Sequence, residues 1–138
     1  KDAKAQRTQR IVRMDENEIS SRVIGAAVEV HKYLGPGLLE SVYKQCMVRE
    51  LRLQAIGVDT ELILKGQYKG LNFDIDYRMD MLVAGKVVVE LKVVDALLPV
   101  HKAQLLSYMK LSGIKLGLLI NFNEAVVKNG VKRIVNTL

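Results

Sequence analysis

Apolar side chains recur along this chain first at helical and then at strand spacing, with the change of period near residue 58. Ile19, Val23, Ala27, Val30 and Leu34 fall near one stripe of a repeat of about 3.6 residues, so residues 19–34 read as an amphipathic helix ended by Gly35-Pro36-Gly37. A second helical segment opens after Gly35-Pro36, with Leu39, Val42, Tyr43, Cys46, Met47 and Leu51 at helical spacing and Gly57 as its stop. Residues 58–64 then read as a strand, and 67–73 as a turn through Lys69-Gly70 toward the strand that delivers Asp80. The run 87–94, VVVELKVV, is a strand bounded by the turn-like Ala84-Gly85-Lys86. A third helix starts at Pro99, and residues 114–121 and 131–136 are the last two strands. The order helix, helix, three strands, helix, strand, strand predicts an α/β fold, a mixed sheet flanked by helices.

The alternation within 87–94 is where chemistry enters. Successive strand side chains point to opposite faces, so Val87, Val89, Leu91 and Val93 form an all-hydrocarbon side, while Val88, Glu90 and Lys92 share the other. A buried charge without a partner is costly, so Glu90 and Lys92 require partners, a metal ion or water. Asp80 begins the preceding segment, and a hairpin of two to four residues would set that strand antiparallel beside this one. An aspartate and a glutamate converging from adjacent strands offer the hard oxygen ligands that Mg²⁺ or Mn²⁺ takes. Lys92 could then orient a water or offset charge developing on a phosphate. The same three residues also suit a buried ion pair, Lys92 with Glu90 or Asp80, that holds a strand register.

Other polar positions bear on that choice. Glu40 stands in the first turn of the second helix, where the helix dipole favours a carboxylate in any case. Gln104 and Tyr108 lie one helical turn apart on one face of the third helix, suited to hydrogen-bonding a shared phosphate or to forming a solvated edge. His31 reads as helix surface or packing, and His101, near the start of the third helix, as a surface residue or a phosphate contact.

Composition narrows the class. A chain of 138 residues with 49% hydrophobic content makes one compact domain with a real core and leaves no room for a second. The apolar runs are strand-length and interrupted by charge, so neither a membrane span nor a secretory signal is expected. Cys46, the single cysteine, sits on an apolar stripe, reads as a buried structural thiol, and excludes a disulfide framework or an iron–sulfur cluster. These features suit a cytoplasmic protein. The net charge of +6 is concentrated in residues 1–13, which carry five basic residues and one acid and leave +2 for 14–138. Met14 followed by Asp-Glu-Asn-Glu resembles a natural start, so the basic tail reads as vector-encoded sequence, an upstream extension or a disordered arm. Within the core, Lys32, Lys44, Arg78, Lys102 and Lys110 are candidate phosphate contacts, each also suited to a solvated surface.

Taken together, Gly37, Glu40 and Tyr43 in GLLESVY, the segment YRMDMLV, then VVVELKVV, HKAQLLSYMKLSG and GLLINF resemble the GxxExxY family, within the PD-(D/E)XK nuclease superfamily of restriction-endonuclease-like fold. The resemblance covers residues 15–136 with the motifs in order, which is more specific than any one of them. It implies that Glu40 is the helix glutamate, Asp80 the strand aspartate, Glu90 and Lys92 the E-x-K pair, and Gln104 with Tyr108 the Q-x-x-x-Y of the RecB-like branch. One position departs, since Met79 stands where the superfamily has a proline before the aspartate. The implied activity is Mg²⁺- or Mn²⁺-dependent hydrolysis of DNA phosphodiesters by a domain spanning 14–138. Asp80 and Glu90 would bind the ion, with Glu40 helping directly or through water and the Leu91 backbone carbonyl as a further ligand. Lys92 would position the attacking water, and Gln104 and Tyr108 would orient the site or the scissile phosphate. The competing expectation is a non-catalytic nucleic-acid-binding or assembly module on the same fold, and a homodimer is compatible with either.

Overall fold

The computed structural model describes residues 14–137, so the basic tail lies outside the described residues. Among the described residues, three helices, α1 (Glu16–Leu34), α2 (Glu40–Leu53) and α3 (Pro99–Ser112), accompany seven strands. The strands are β1 (Val58–Asp59), β2 (Leu64–Tyr68), β3 (Leu71–Ile75), β4 (Met81–Val83), β5 (Val87–Lys92), β6 (Leu116–Asn121) and β7 (Val131–Val135), with a 3₁₀ turn over Val127–Gly130 before β7. Five strands form one sheet in the order β1-β4-β5-β6-β7. Its only parallel pair is β5 with β6, whose connection carries α3, as a crossover between parallel strands requires.

The two faces of β5 bury different cores. Val87, Val89 and Leu91 join Met81, Val83, Leu116, Leu118 and Ile120 beneath α1 and α2, which contribute Ile19, Val23, Ala27, Tyr43, Met47 and Leu51. Val88 faces the other way with Leu82 and Leu119, against Leu105 and Met109 of α3 and Leu64 and Ile75 of the β2–β3 pair. The mixed sheet flanked by helices is therefore as its periodicity predicts.

The segment after α2 departs from expectation. In place of one strand over 58–64, β1 stops at Asp59, because Glu61 takes a left-handed backbone (φ 57°) that no strand continues through. Residues 67–73, expected as a turn, belong to a separate two-stranded hairpin, β2 with β3, joined by Lys69 (φ 46°) and Gly70 (φ 84°). Two consecutive positive φ angles are what a tight hairpin needs to match strand twist. Residue 80 lies just before β4 rather than within it. β5 ends at Lys92, short of the expected 94, because the buried Asn121 takes the next backbone groups: its Oδ1 accepts from Val94 N at 3.1 Å and its Nδ2 donates to Val94 O at 2.8 Å.

Helix ends follow side-chain caps. Asp15 accepts from Glu18 N at 2.8 Å and moves the start of α1 ahead of residue 19. α2 begins at Glu40 rather than at the preceding glycines because Tyr43 holds them: its hydroxyl donates to Gly35 O at 2.6 Å and accepts from Leu38 N at 3.1 Å. The Tyr43 ring is fully buried and stacks on Phe122, centroids 4.4 Å apart, tying the α1–α2 turn to the end of β6. His31, also buried, donates from Nε2 to Glu124 O at 2.8 Å and so belongs to packing. Cys46, expected buried, is a half-buried free thiol on the rim between α1 and α2.

α3 approaches the sheet closely at Gly117. A Cβ there would meet Met109 Sδ at 2.7 Å, Val88 Cγ1 at 3.1 Å and Leu105 Cδ2 at 3.2 Å. Gly117→Val should push α3 outward and cost about 1 to 3 kcal/mol of unfolding free energy by overpacking, measured by urea denaturation. Tyr43→Phe keeps the stack but strands Gly35 O and Leu38 N, so it should cost about 1 to 3 kcal/mol; a midpoint equal to wild type would mean water serves those groups as well as the phenol does.

Candidate active site

β4 and β5 pair antiparallel with Met81 opposite Val89, across a three-residue connection of Ala84 (φ 52°), Gly85 (φ 67°) and Lys86. That register sets Asp80 level with Glu90, and alternation turns both toward the α3 side, because Met81 and Val83 face the opposite core. The two residues then interlock. Asp80 N donates to Glu90 Oε1 at 3.0 Å, and Leu91 N donates to Asp80 Oδ2 at 2.7 Å. Each carboxylate thus accepts a backbone N–H from the other's strand, which holds both side chains toward a common point.

Burial sets the electrostatics. Glu90, 6% exposed, is pushed up to about 7, first by loss of water and then by the neighbouring charge of Asp80. The Asp80 carboxyl is also raised by burial, against the opposing pull of the Leu91 N–H and of Lys44 and Lys92. Lys92 is half-buried and favours the charged form of both acids through space. Among the described residues it makes no ion pair with either, so the buried Lys92 ion pair considered as an alternative is not what holds this strand.

The other expected site residues divide. Tyr108 on α3 reaches the site through an aromatic neighbour, its ring stacked on Tyr77 with centroids 4.0 Å apart and planes 20° apart. Gln104, a turn earlier, is exposed at the edge of α3. Glu40 is exposed at the first position of α2 and is not gathered with Asp80 and Glu90: among the described residues no three of His, Cys, Asp and Glu are grouped to hold a metal. Lys44, one turn further along α2, is the residue from this helix whose charge acts on Asp80. Leu91 meets the pair through its N–H. His101 is half-buried at the start of α3, and its Nδ1 accepts from Leu98 N at 3.0 Å, capping the helix.

Two residues at this site escaped the sequence reading. Tyr77 lies in the irregular segment before β4, its phenol donating toward Glu90, and burial with the Glu90 charge disfavours its ionisation. Its sequence signal was slight, a tyrosine three residues ahead of Asp80 in a chain with few aromatics. Asn121, level with Lys92 on the parallel partner strand, anchors the turn after β5. A lone amide closing the apolar run LGLLIN was the available signal.

The donor set suits a hard divalent cation. Two carboxylates, each with one oxygen held by a backbone N–H, carry raised proton affinities that a cation would offset, and Mg²⁺ is commonly held by one or two carboxylates with water and substrate oxygens completing the shell. Two acids do not make a closed protein cage, so such a site is open to substrate.

A pH dependence follows. Glu90 is protonated more readily folded than unfolded, so its contribution to stability is whole below the unfolded value of 4.5 and is lost as pH rises through about 7. In chelator, unfolding free energy should therefore fall between these limits by roughly 2 to 3 kcal/mol from Glu90, and Glu90→Gln should flatten the slope. Chemical denaturation at intervals of pH measures it; a wild-type slope retained in the variant would place the titration elsewhere.

A family model for the PD-(D/E)XK nuclease superfamily matches residues 17–134, a span that contains the whole of this site. No curated protein and no solved structure gives a significant match to the chain. With Asp80 just ahead of β4 and Glu90-x-Lys92 on the paired strand β5 of a mixed sheet between helices, the architecture is restriction-endonuclease-like, and this chain belongs to the PD-(D/E)XK nuclease superfamily.

Proposed function

We propose that this protein is a Mg²⁺- or Mn²⁺-dependent deoxyribonuclease of the GxxExxY type, on the RecB-like branch of its superfamily. The observation that carries the reading is the interlock of Asp80 and Glu90, two acids held toward a common point with the Lys92 charge acting on both. A fold has little reason to keep that arrangement for stability alone, because two carboxylates whose pKa values are raised by loss of water cost free energy when ionised. Among the described residues no helix is long and apolar enough to cross a membrane.

In this reading Asp80 and Glu90 would hold the ion, with the Leu91 carbonyl as a further ligand and Glu40 helping directly or through water from the start of α2. The bound cation would supply charge to the phosphate oxygens as the transition state develops. Lys92 orients the attacking water and offsets charge on the phosphate from the same sheet face as Glu90. Gln104 and Tyr108, presented by α3, orient the site or the scissile phosphate. Lys44, a candidate phosphate contact whose charge already acts on Asp80, would draw the DNA backbone toward the pair.

Calorimetric titration with Mn²⁺ is the direct test. Wild type should bind, and Glu90→Gln should lose most of the affinity; proton competition should weaken binding as pH falls below about 7. Lys92→Ala should bind Mn²⁺ and melt much as wild type does, yet cleave a labelled oligonucleotide on the order of 10² to 10³ times more slowly. Metal uptake with no cleavage of duplex, single-stranded or branched DNA would leave the non-catalytic binding module in its place.

A further inference from the structure

Tyr77 has no part in the reaction outlined above, yet it is the side chain that joins α3 to the carboxylate pair. It leaves β3 in a tight turn, its N–H donating to Ile75 O at 2.8 Å, and its ring lies flat against Tyr108 at 4.0 Å. Tyr108 is fixed in turn by the helix that carries it, since Leu105 and Met109 on either side are buried against Gly117 and Val88 of the sheet. The Glu90 side chain accepts one backbone hydrogen bond, from Asp80 N at Oε1, and points to the α3 face of the sheet. Tyr77 and Tyr108 pack against the core on that same face, where the Tyr77 phenol acts as a donor that favours the charged form of Glu90. A carboxylate only accepts, a phenol can donate, and a ring clamped by a second ring has little freedom to swing away.

We propose that Tyr77 is a positioning residue for the metal site, its hydroxyl setting the orientation of the Glu90 carboxylate and its ring braced by Tyr108. The inference rests on the metal-nuclease reading. It also assigns Tyr108 a more specific part: it acts on the site through Tyr77, by contact of ring with ring, rather than by a hydrogen bond to phosphate. Outer partners of ligating carboxylates fix ligand geometry, and their loss typically weakens metal affinity about 10- to 100-fold.

Two substitutions separate positioning from simple packing. Tyr77→Phe keeps the stacked ring and removes the hydroxyl, so it should bind Mn²⁺ at least about tenfold more weakly by calorimetry, with a melting temperature in chelator equal to wild type. Tyr108→Ala, which removes the bracing ring, should weaken Mn²⁺ binding as Tyr77→Phe does. Wild-type affinity in Tyr77→Phe beside lost affinity in Glu90→Gln overturns the positioning role and leaves the nuclease reading intact. A Tyr77→Phe protein that melts early but whose folded fraction binds Mn²⁺ normally overturns it equally. Absence of Mn²⁺ binding by the wild type overturns both.

Discussion

The register of β4 against β5 is the constraint on which the rest of this molecule turns. With Met81 opposite Val89, Asp80 falls level with Glu90, and each carboxylate finds a backbone N–H on the facing strand. A slip of one residue would send Glu90 into the core beneath α1 and α2 and bring Val89 or Leu91 to the α3 side. The hydrocarbon on that other face makes such a slip costly: Val87, Val89, Leu91, Met81 and Val83 are all within 1% of complete burial. The apolar half of β5 thus locates the polar half, and packing energy on one side of the sheet is what holds two like charges together on the other.

The helices act as walls at fixed distances from that sheet. α3 comes in as close as a glycine permits at Gly117, which brings the Tyr108 ring within stacking range of Tyr77. α2 is set by Tyr43, whose hydroxyl ties the turn before the helix and whose ring lies on Phe122. In the G-x-x-E-x-x-Y segment the tyrosine is therefore a structural fastening, and the glutamate stands exposed at the first position of α2. Asn121 completes the frame by taking both backbone groups of Val94, so the chain leaves β5 just after Lys92.

Electrostatics then sets the character of the site. Burial raises both acids; the Leu91 N–H, Lys44 and Lys92 oppose that rise at Asp80, and the Asp80 N–H, the Tyr77 phenol and Lys92 oppose it at Glu90, without cancelling it at either. On the proposed reading, such a pair would exchange a proton for a cation near neutral pH. The cost of the two raised acids to the fold is offset by packing such as that of Tyr43, Phe122, Met47, Leu51 and Leu118 in the core beneath α1 and α2.

What the sequence by itself determined is what depends on neighbours in the chain. The period of two over VVVELK put Glu90 and Lys92 on one face, the short connection at Ala84-Gly85-Lys86 made β4 and β5 a hairpin, and the stripes at Ile19 and Leu51 marked the helix faces, because alternation and turn geometry are local properties of the backbone. It failed where local signals were ambiguous: the left-handed backbone at Glu61 and the turn at Lys69-Gly70 divide what read as a strand and a turn into β1 and a separate hairpin. Only the tertiary structure decided which distant side chains meet. Tyr77 with Tyr108 and Tyr43 with Phe122 are joined by how closely α3 and α2 lie on the sheet, which the volumes packed between them set and no spacing along the chain encodes, and Asn121 meets Val94 through the parallel register of β5 with β6.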